Sequence, residues 1–201
     1  MKRQKRKSGA ENPTSFLFPP SIIIDRETLR FTALHWVKYR PTVVETAPDG
    51  SITIRREDIV VVEPLHEHTF RVKLEIAGAL DEFGCVIDFA LAEQIMVKIL
   101  QQFDHKILIP ADDPDLTLRK DGDQIQIGVL NSNWGFQERN VKFLPATNAS
   151  TETIAAIILA EFLALVQKSS ILPKSFSDDH FVLSLEENRG MSARVESRGQ
   201  E

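Results

Sequence analysis

Apolar and polar residues alternate with a period of two in three stretches of the chain, the signature of strands with one buried face. In residues 21–35, Leu29, Phe31, Ala33 and His35 share a face. In residues 66–76, Phe70, Val72, Leu74 and Ile76 face one way and Arg71, Lys73 and Glu75 the other. In residues 181–188, Phe181, Leu183, Leu185 and Glu187 line up. Two stretches follow the helical period instead. Residues 89–103 carry Leu91, Ile95, Ile99 and Phe103 at helix spacing behind a possible N-cap, Asp88, and residues 151–167 are opened by Asn148-Ala149-Ser150. Short strand pairs flank two turn sequences: 42–46 and 51–54 around Ala47-Pro48-Asp49-Gly50, and 116–118 and 124–130 around Lys120-Asp121-Gly122-Asp123. The order of strands, helix, hairpin, helix and strand predicts an α+β fold with helices on one side of an antiparallel sheet.

Composition narrows the setting. The 201 residues suffice for one domain with a real core. No apolar run approaches the roughly 20 residues of a membrane helix. A single cysteine, Cys85, excludes an internal disulfide and fits a reducing cytoplasm; following Gly84, it reads as a buried structural thiol. Net charge is -5, although residues 1–7 carry five basic side chains, so the body is strongly acidic. That argues against nucleic acid as the main partner. Residues 1–20 read as a disordered basic tail without the apolar stretch of a signal peptide, and 196–201 as a second disordered tail.

The candidate chemistry lies on the apolar strand faces. His66 and His68 are two apart in a strand, so both rings point toward the interior, and His35 occupies the apolar face of its own strand. If these strands pair, three imidazoles converge at one end of a sheet, the ligand set of a catalytic zinc site; hydrogen-bonded or surface histidines are the alternative. Glu67 points to the opposite face. Asp104-His105 follows the first helix, either as a histidine at a helix C-terminus or as a carboxylate orienting a histidine for proton transfer. Glu152 sits in a first helical turn, where any acid is favoured. Glu187 lies on an apolar face, where an ionised acid needs a partner.

Taken in order, several segments resemble the 6-pyruvoyltetrahydropterin synthase family, which includes the 6-carboxytetrahydropterin synthases. They are Phe31-Thr32-Ala33-Leu34-His35, Leu65-His66-Glu67-His68-Thr69-Phe70-Arg71-Val72, Gly84-Cys85-Val86-Ile87-Asp88-Phe89, Phe103-Asp104-His105-Lys106, Asn148-Ala149-Ser150-Thr151-Glu152 and Leu185-Glu186-Glu187. The resemblance implies a single domain over 21–195 with enlargements at 36–62 and 107–145. It implies a tunnelling fold: an antiparallel four-stranded sheet with two helices on one face, assembled into homohexamers with active sites at subunit interfaces. It further implies Zn2+ on His35, His66 and His68, a proton-transfer pair Asp104 and His105, and a pterin substrate held by Glu187 and Glu152.

Two departures stand out. Glu67 replaces the glycine usual between the strand histidines, and Val62 occupies the position of the usual catalytic cysteine. Glu63, three residues before His66, resembles the glutamate of a subgroup that lacks this cysteine; Pro64 must break the strand register for it to face the site. This pattern implies cleavage of 7,8-dihydroneopterin triphosphate to 6-hydroxymethyl-dihydropterin. The alternatives are a 6-carboxy- or 6-pyruvoyl-tetrahydropterin synthase, or a non-catalytic zinc- or pterin-binding relative.

Overall fold

The computed structural model describes residues 19–169 and 180–197. Its elements are β1 (Ser21–His35), β2 (Lys38–Tyr39), β3 (Thr42–Thr46), β4 (Ile52–Arg56), β5 (Val61–Val62), β6 (His66–Ala77), α1 (Phe89–Leu100), β7 (Lys106–Pro110), β8 (Leu116–Asp121), β9 (Gln124–Val129), β10 (Ser132–Gln137), β11 (Val141–Leu144), α2 (Thr151–Ser169), β12 (His180–Asn188) and β13 (Met191–Ser197).

The main sheet runs β11-β7-β1-β6-β12-β13. Its β1-β6-β12-β13 part is antiparallel and is the expected tunnelling sheet. The sheet has six strands rather than the four expected, because β7 joins β1 in parallel and β11 joins β7 in parallel. Four of the five β7 residues, Ile107 to Pro110, are buried. A strand covered on both faces reads as a continuous apolar run without alternation.

Helices α1 and α2 cover one face. Phe31, Phe70, Leu74, Leu183 and Leu185 pack there in one core cluster with Met96, Ile99, Phe162 and Val166. Phe31 stacks on Phe70 at 4.9 Å and meets Phe103 at 5.5 Å. Burying each such side chain contributes about 1.5–3 kcal/mol. Asp88 caps α1 by accepting from Ala90 N–H at 2.8 Å. The helix stops at Leu100, and the chain turns through 101–105 instead of continuing to residue 103 as a helix.

A second cluster forms where the three-stranded β8–β10 sheet meets the β7 end of the main sheet. Ile125, Ile127 and Val129 pack there with Ile107, Ile109 and Trp36, and Trp36 stacks on Trp134 at 4.8 Å. The β3–β4 hairpin has Val44 paired with Ile54 and leaves both, with Ile52, exposed.

Two expectations need correction. Cys85 is exposed rather than buried. Gly84 adopts φ 79° and turns the chain, so that Val86 and Ile87 take the core positions instead. The expected tail at 196–201 begins inside β13, whose Glu196 lies 2.8 Å from His180 Nδ1. The tail expected at 1–20 falls, up to residue 18, outside the described residues.

Candidate functional site

The β1–β6 register sets the first half of the site. His35 pairs with His66, and Ala33 with His68, so the three histidines meet on the helix-facing side at one end of the sheet. The ring centroids lie 4.6 Å (His35–His66), 4.8 Å (His66–His68) and 5.4 Å (His35–His68) apart. Glu187 joins them from β12, at an irregularity in its pairing with β13 between Glu186 and Asn188. Its Oε1 lies 2.9 Å from His68 Nε2 and 3.5 Å from His35 Nε2, and its Oε2 accepts from the Thr151 hydroxyl at the start of α2. One ligand atom from each of His35, His66, His68 and Glu187 falls within 4.8 Å of the others.

The hydrogen bonds around this cluster suit a metal. His35 Nδ1 lies 2.8 Å from the Ala149 carbonyl, which can only accept, so Nδ1 carries the proton. His66 Nδ1 stands in the same relation to the Pro64 carbonyl at 2.7 Å. In a neutral ring this leaves Nε2 as a free lone pair, the arrangement usual behind metal-bound histidines. His35 is 0% exposed, and its Nε2 has no hydrogen-bond partner. Burial holds its pKa below the ordinary 6.5, outweighing the Ala149 hydrogen bond and the Glu187 charge that favour protonation. A neutral buried lone pair facing a carboxylate oxygen is unfavourable without a cation between them. A nitrogen-rich donor set completed by one carboxylate fits a divalent metal.

Asp104 and His105 are brought together elsewhere. Both backbone groups of Thr32 are engaged: its N–H donates to Asp104 Oδ1 at 2.8 Å, and its carbonyl accepts from His105 N–H at 2.6 Å. His105 sits at φ 57°, a left-handed position that histidine tolerates better than most residues. Its Nδ1 is 3.2 Å from Asp104 Oδ1, and its side chain is 81% exposed. The pair lines a depression with Arg30, Phe31, Thr32 and Thr69 that the three clustered histidines do not line.

Glu63 lies just after β5. Its N–H donates to the Val37 carbonyl at 3.0 Å, extending the β2–β5 ladder, and residues 63–65 leave strand geometry before β6 begins. The break at Pro64 that the sequence required is therefore present. Val62 packs against the Trp36 cluster. Glu152 is exposed in the first turn of α2. The sequence reading missed Thr151, the Ala149 and Pro64 carbonyls, and Lys38, whose ammonium bonds Asp113 and, at 2.7 Å, Asp115. Of these, only Asn148-Ala149-Ser150-Thr151 carried a local signal, as the opening of a helix.

Comparison with known proteins places this arrangement. The profile of the 6-pyruvoyl tetrahydropterin synthase family matches residues 27–175. A protein of Archaeoglobus fulgidus described as a putative 6-carboxy-5,6,7,8-tetrahydropterin synthase is 39% identical over 44 residues. That match spans 22% of this chain and only 38% of the archaeal protein. Among solved structures, the 6-pyruvoyl tetrahydropterin synthase of Plasmodium falciparum matches with a TM-score of 0.69 at 23% identity, over 90% of this chain and 99% of that one. The Plasmodium vivax protein of the same name gives 0.70 at 21% identity, over 89% and 98%. These structures share the fold; with the family match over most of its length, the chain belongs to the 6-pyruvoyl tetrahydropterin synthase family.

Proposed function

We propose that the chain is a zinc-dependent lyase that cleaves a carbon–carbon bond in the side chain of 7,8-dihydroneopterin triphosphate, giving 6-hydroxymethyl-dihydropterin. The observation that carries this reading is Glu63, held by the β2–β5 ladder three residues before His66, while Val62 packs away into the Trp36 cluster.

His35, His66 and His68 would hold the ion, with Glu187 beside them. Zinc bound there would supply a Lewis acid for the substrate's side-chain hydroxyls. Glu63 takes the proton from the second side-chain hydroxyl. The bond between the first and second side-chain carbons breaks, and its electron pair passes into the pterin ring. The Asp104–His105 pair returns a proton to the first carbon, leaving a hydroxymethyl group on the ring and a triphosphate-bearing aldehyde. A carboxylate such as Glu187 also matches the two-donor edge of the pterin ring. Glu152 assists in holding the ring.

Because the exposed Asp104–His105 pair lines a different depression from the histidines, the complete site needs a second subunit. Strands β11 and β13 are the outer strands of the main sheet, and exposed edges favour pairing. This supports association of subunits with sites at their interfaces, which we read as a homohexamer, in the cytoplasm that the single cysteine suggests. The name of the archaeal relative favours a second reading, 6-carboxytetrahydropterin synthesis. Mass spectrometry of the product from 7,8-dihydroneopterin triphosphate separates them. A 6-hydroxymethyl product supports the lyase, and a 6-carboxy or 6-pyruvoyl product overturns it. Zinc and pterin binding without turnover marks a non-catalytic relative.

A further inference from the structure

Strand β2 is only two residues long, yet three parts of the chain converge on it. On one edge it pairs with β5, Lys38 opposite Val62 and Tyr39 opposite Val61, and the same ladder carries Glu63 on the Val37 carbonyl. The Asn148 amide also clamps Lys38: Nδ2 donates to the Lys38 carbonyl at 2.9 Å, and Oδ1 accepts from Lys38 N–H at 3.0 Å. The same Oδ1 accepts from Ala149 N–H at 3.1 Å, and the Ala149 carbonyl is the group that fixes the His35 ring. The Lys38 side chain then reaches into the 107–145 insertion, where its ammonium bonds Asp113 and Asp115.

Asp113 makes this cluster costly. Its carboxylate is buried, Oδ1 takes Lys38 and the Asp115 N–H at 3.0 Å, and Oδ2 has no hydrogen-bond partner. A buried ion pair with an unsatisfied oxygen is a poor source of stability, since apolar residues of similar volume often do as well. What the cluster does supply is a fixed position for a strand too short to hold itself. Through Asn148 it sets the carbonyl behind the metal ligand His35, and through β5 it sets the carboxylate of Glu63.

We propose that Lys38 and Asn148 are positioning residues, locking His35 and Glu63 into one geometry, with the 107–145 insertion as the anchor. The Glu63 half of this inference rests on the proposed lyase reading; the His35 half does not. The first test is zinc affinity, measured by competition with a chromogenic chelator on the intact chain. Asn148→Ala should weaken zinc about 10–100-fold, the usual cost of losing a partner behind a metal ligand. Asn148→Asp keeps the two bonds that Oδ1 accepts but sets an oxygen against the Lys38 carbonyl in place of Nδ2–H, so it should recover only part of that loss. Wild-type affinity in Asn148→Ala overturns the proposal. If that variant fails to fold, a folded Asn148→Asp that binds zinc no better than a histidine-ligand mutant overturns it instead.

The second test is the pair Lys38→Met and Lys38→Met with Asp113→Leu. The single variant strands a buried carboxylate and should melt well below wild type; the double variant removes both charges and should regain the melting temperature. Under the proposal kcat stays low in the double variant, by about tenfold or more, while KM holds, because the anchor is gone. Recovery of kcat together with the melting temperature shows a purely structural pair and refutes the role of Lys38. A wild-type chain that does not turn over the pterin removes the lyase reading alone, and the zinc arm still decides the inference for His35.

Discussion

Replacing Glu63 by glutamine isolates the proposed base. Glutamine matches glutamate in size and keeps the backbone bond from residue 63 to the Val37 carbonyl at 3.0 Å. The neighbouring His66 Nδ1–Pro64 contact of 2.7 Å involves only backbone and the histidine, so it also survives. Residue 63 is half-buried, and a neutral isostere there should shift stability by less than about 0.5 kcal/mol. Zinc content and pterin binding should therefore match wild type. Turnover should fall about 10²–10⁴-fold, the usual worth of a positioned base, or about 2.7–5.4 kcal/mol in the barrier. Single-turnover product formation, quantified by mass spectrometry, measures this directly. The rival geometry has its own test in Val62→Cys combined with Glu63→Ala. Because Val62 packs against the Trp36 cluster, a thiol there lies in apolar surroundings and should not restore activity. Near wild-type turnover in Glu63→Gln would show that the glutamate is not the base; rescue by the cysteine would show that position 62 reaches the site after all.

Other expectations follow from the same geometry. Purified protein should carry about one zinc per chain, and His66→Ala or His68→Ala should abolish it; a wild-type protein that cannot be loaded with zinc contradicts the site. His35 has a folded pKa below its ordinary 6.5, so the unfolded chain binds the extra proton first. The stability that neutral His35 contributes to chelator-stripped protein is full above about pH 6.5 and is lost as pH falls below it. Denaturant melts across pH 5–8 read this, and a melt that strengthens on acidification points the other way. Phe31→Ala should cost about 3–5 kcal/mol, since the ring is 1% exposed between Phe70 and Phe103. Light scattering should report an oligomer, and an active monomer at working concentration would count against interface sites.

The sequence by itself determined the elements whose faces differ. Strands β1, β6 and β12 each bury one side against the helices, so apolar residues recur at every second position and His35, His66, His68 and Glu187 could be placed on the inner face. Asp88 and the 148–151 opening marked the two helices through capping chemistry that is local in sequence. Only the tertiary structure decided what depends on distant neighbours. Strand β7 is sandwiched between two clusters and has no alternation to read, and its parallel pairing with β1 and β11 leaves no turn signal. Strand β10, with the sequence Ser132–Gln137, is left unassigned by the sequence and is defined by the β9 ladder and the Trp36–Trp134 stack. The alternation put Glu187 inside but not which groups it meets, because a pairing irregularity and the Thr151 hydroxyl aim it at His68. Period and composition mark which residues are buried; the atoms that a buried polar group touches are set by register and crossover, which join residues far apart along the chain.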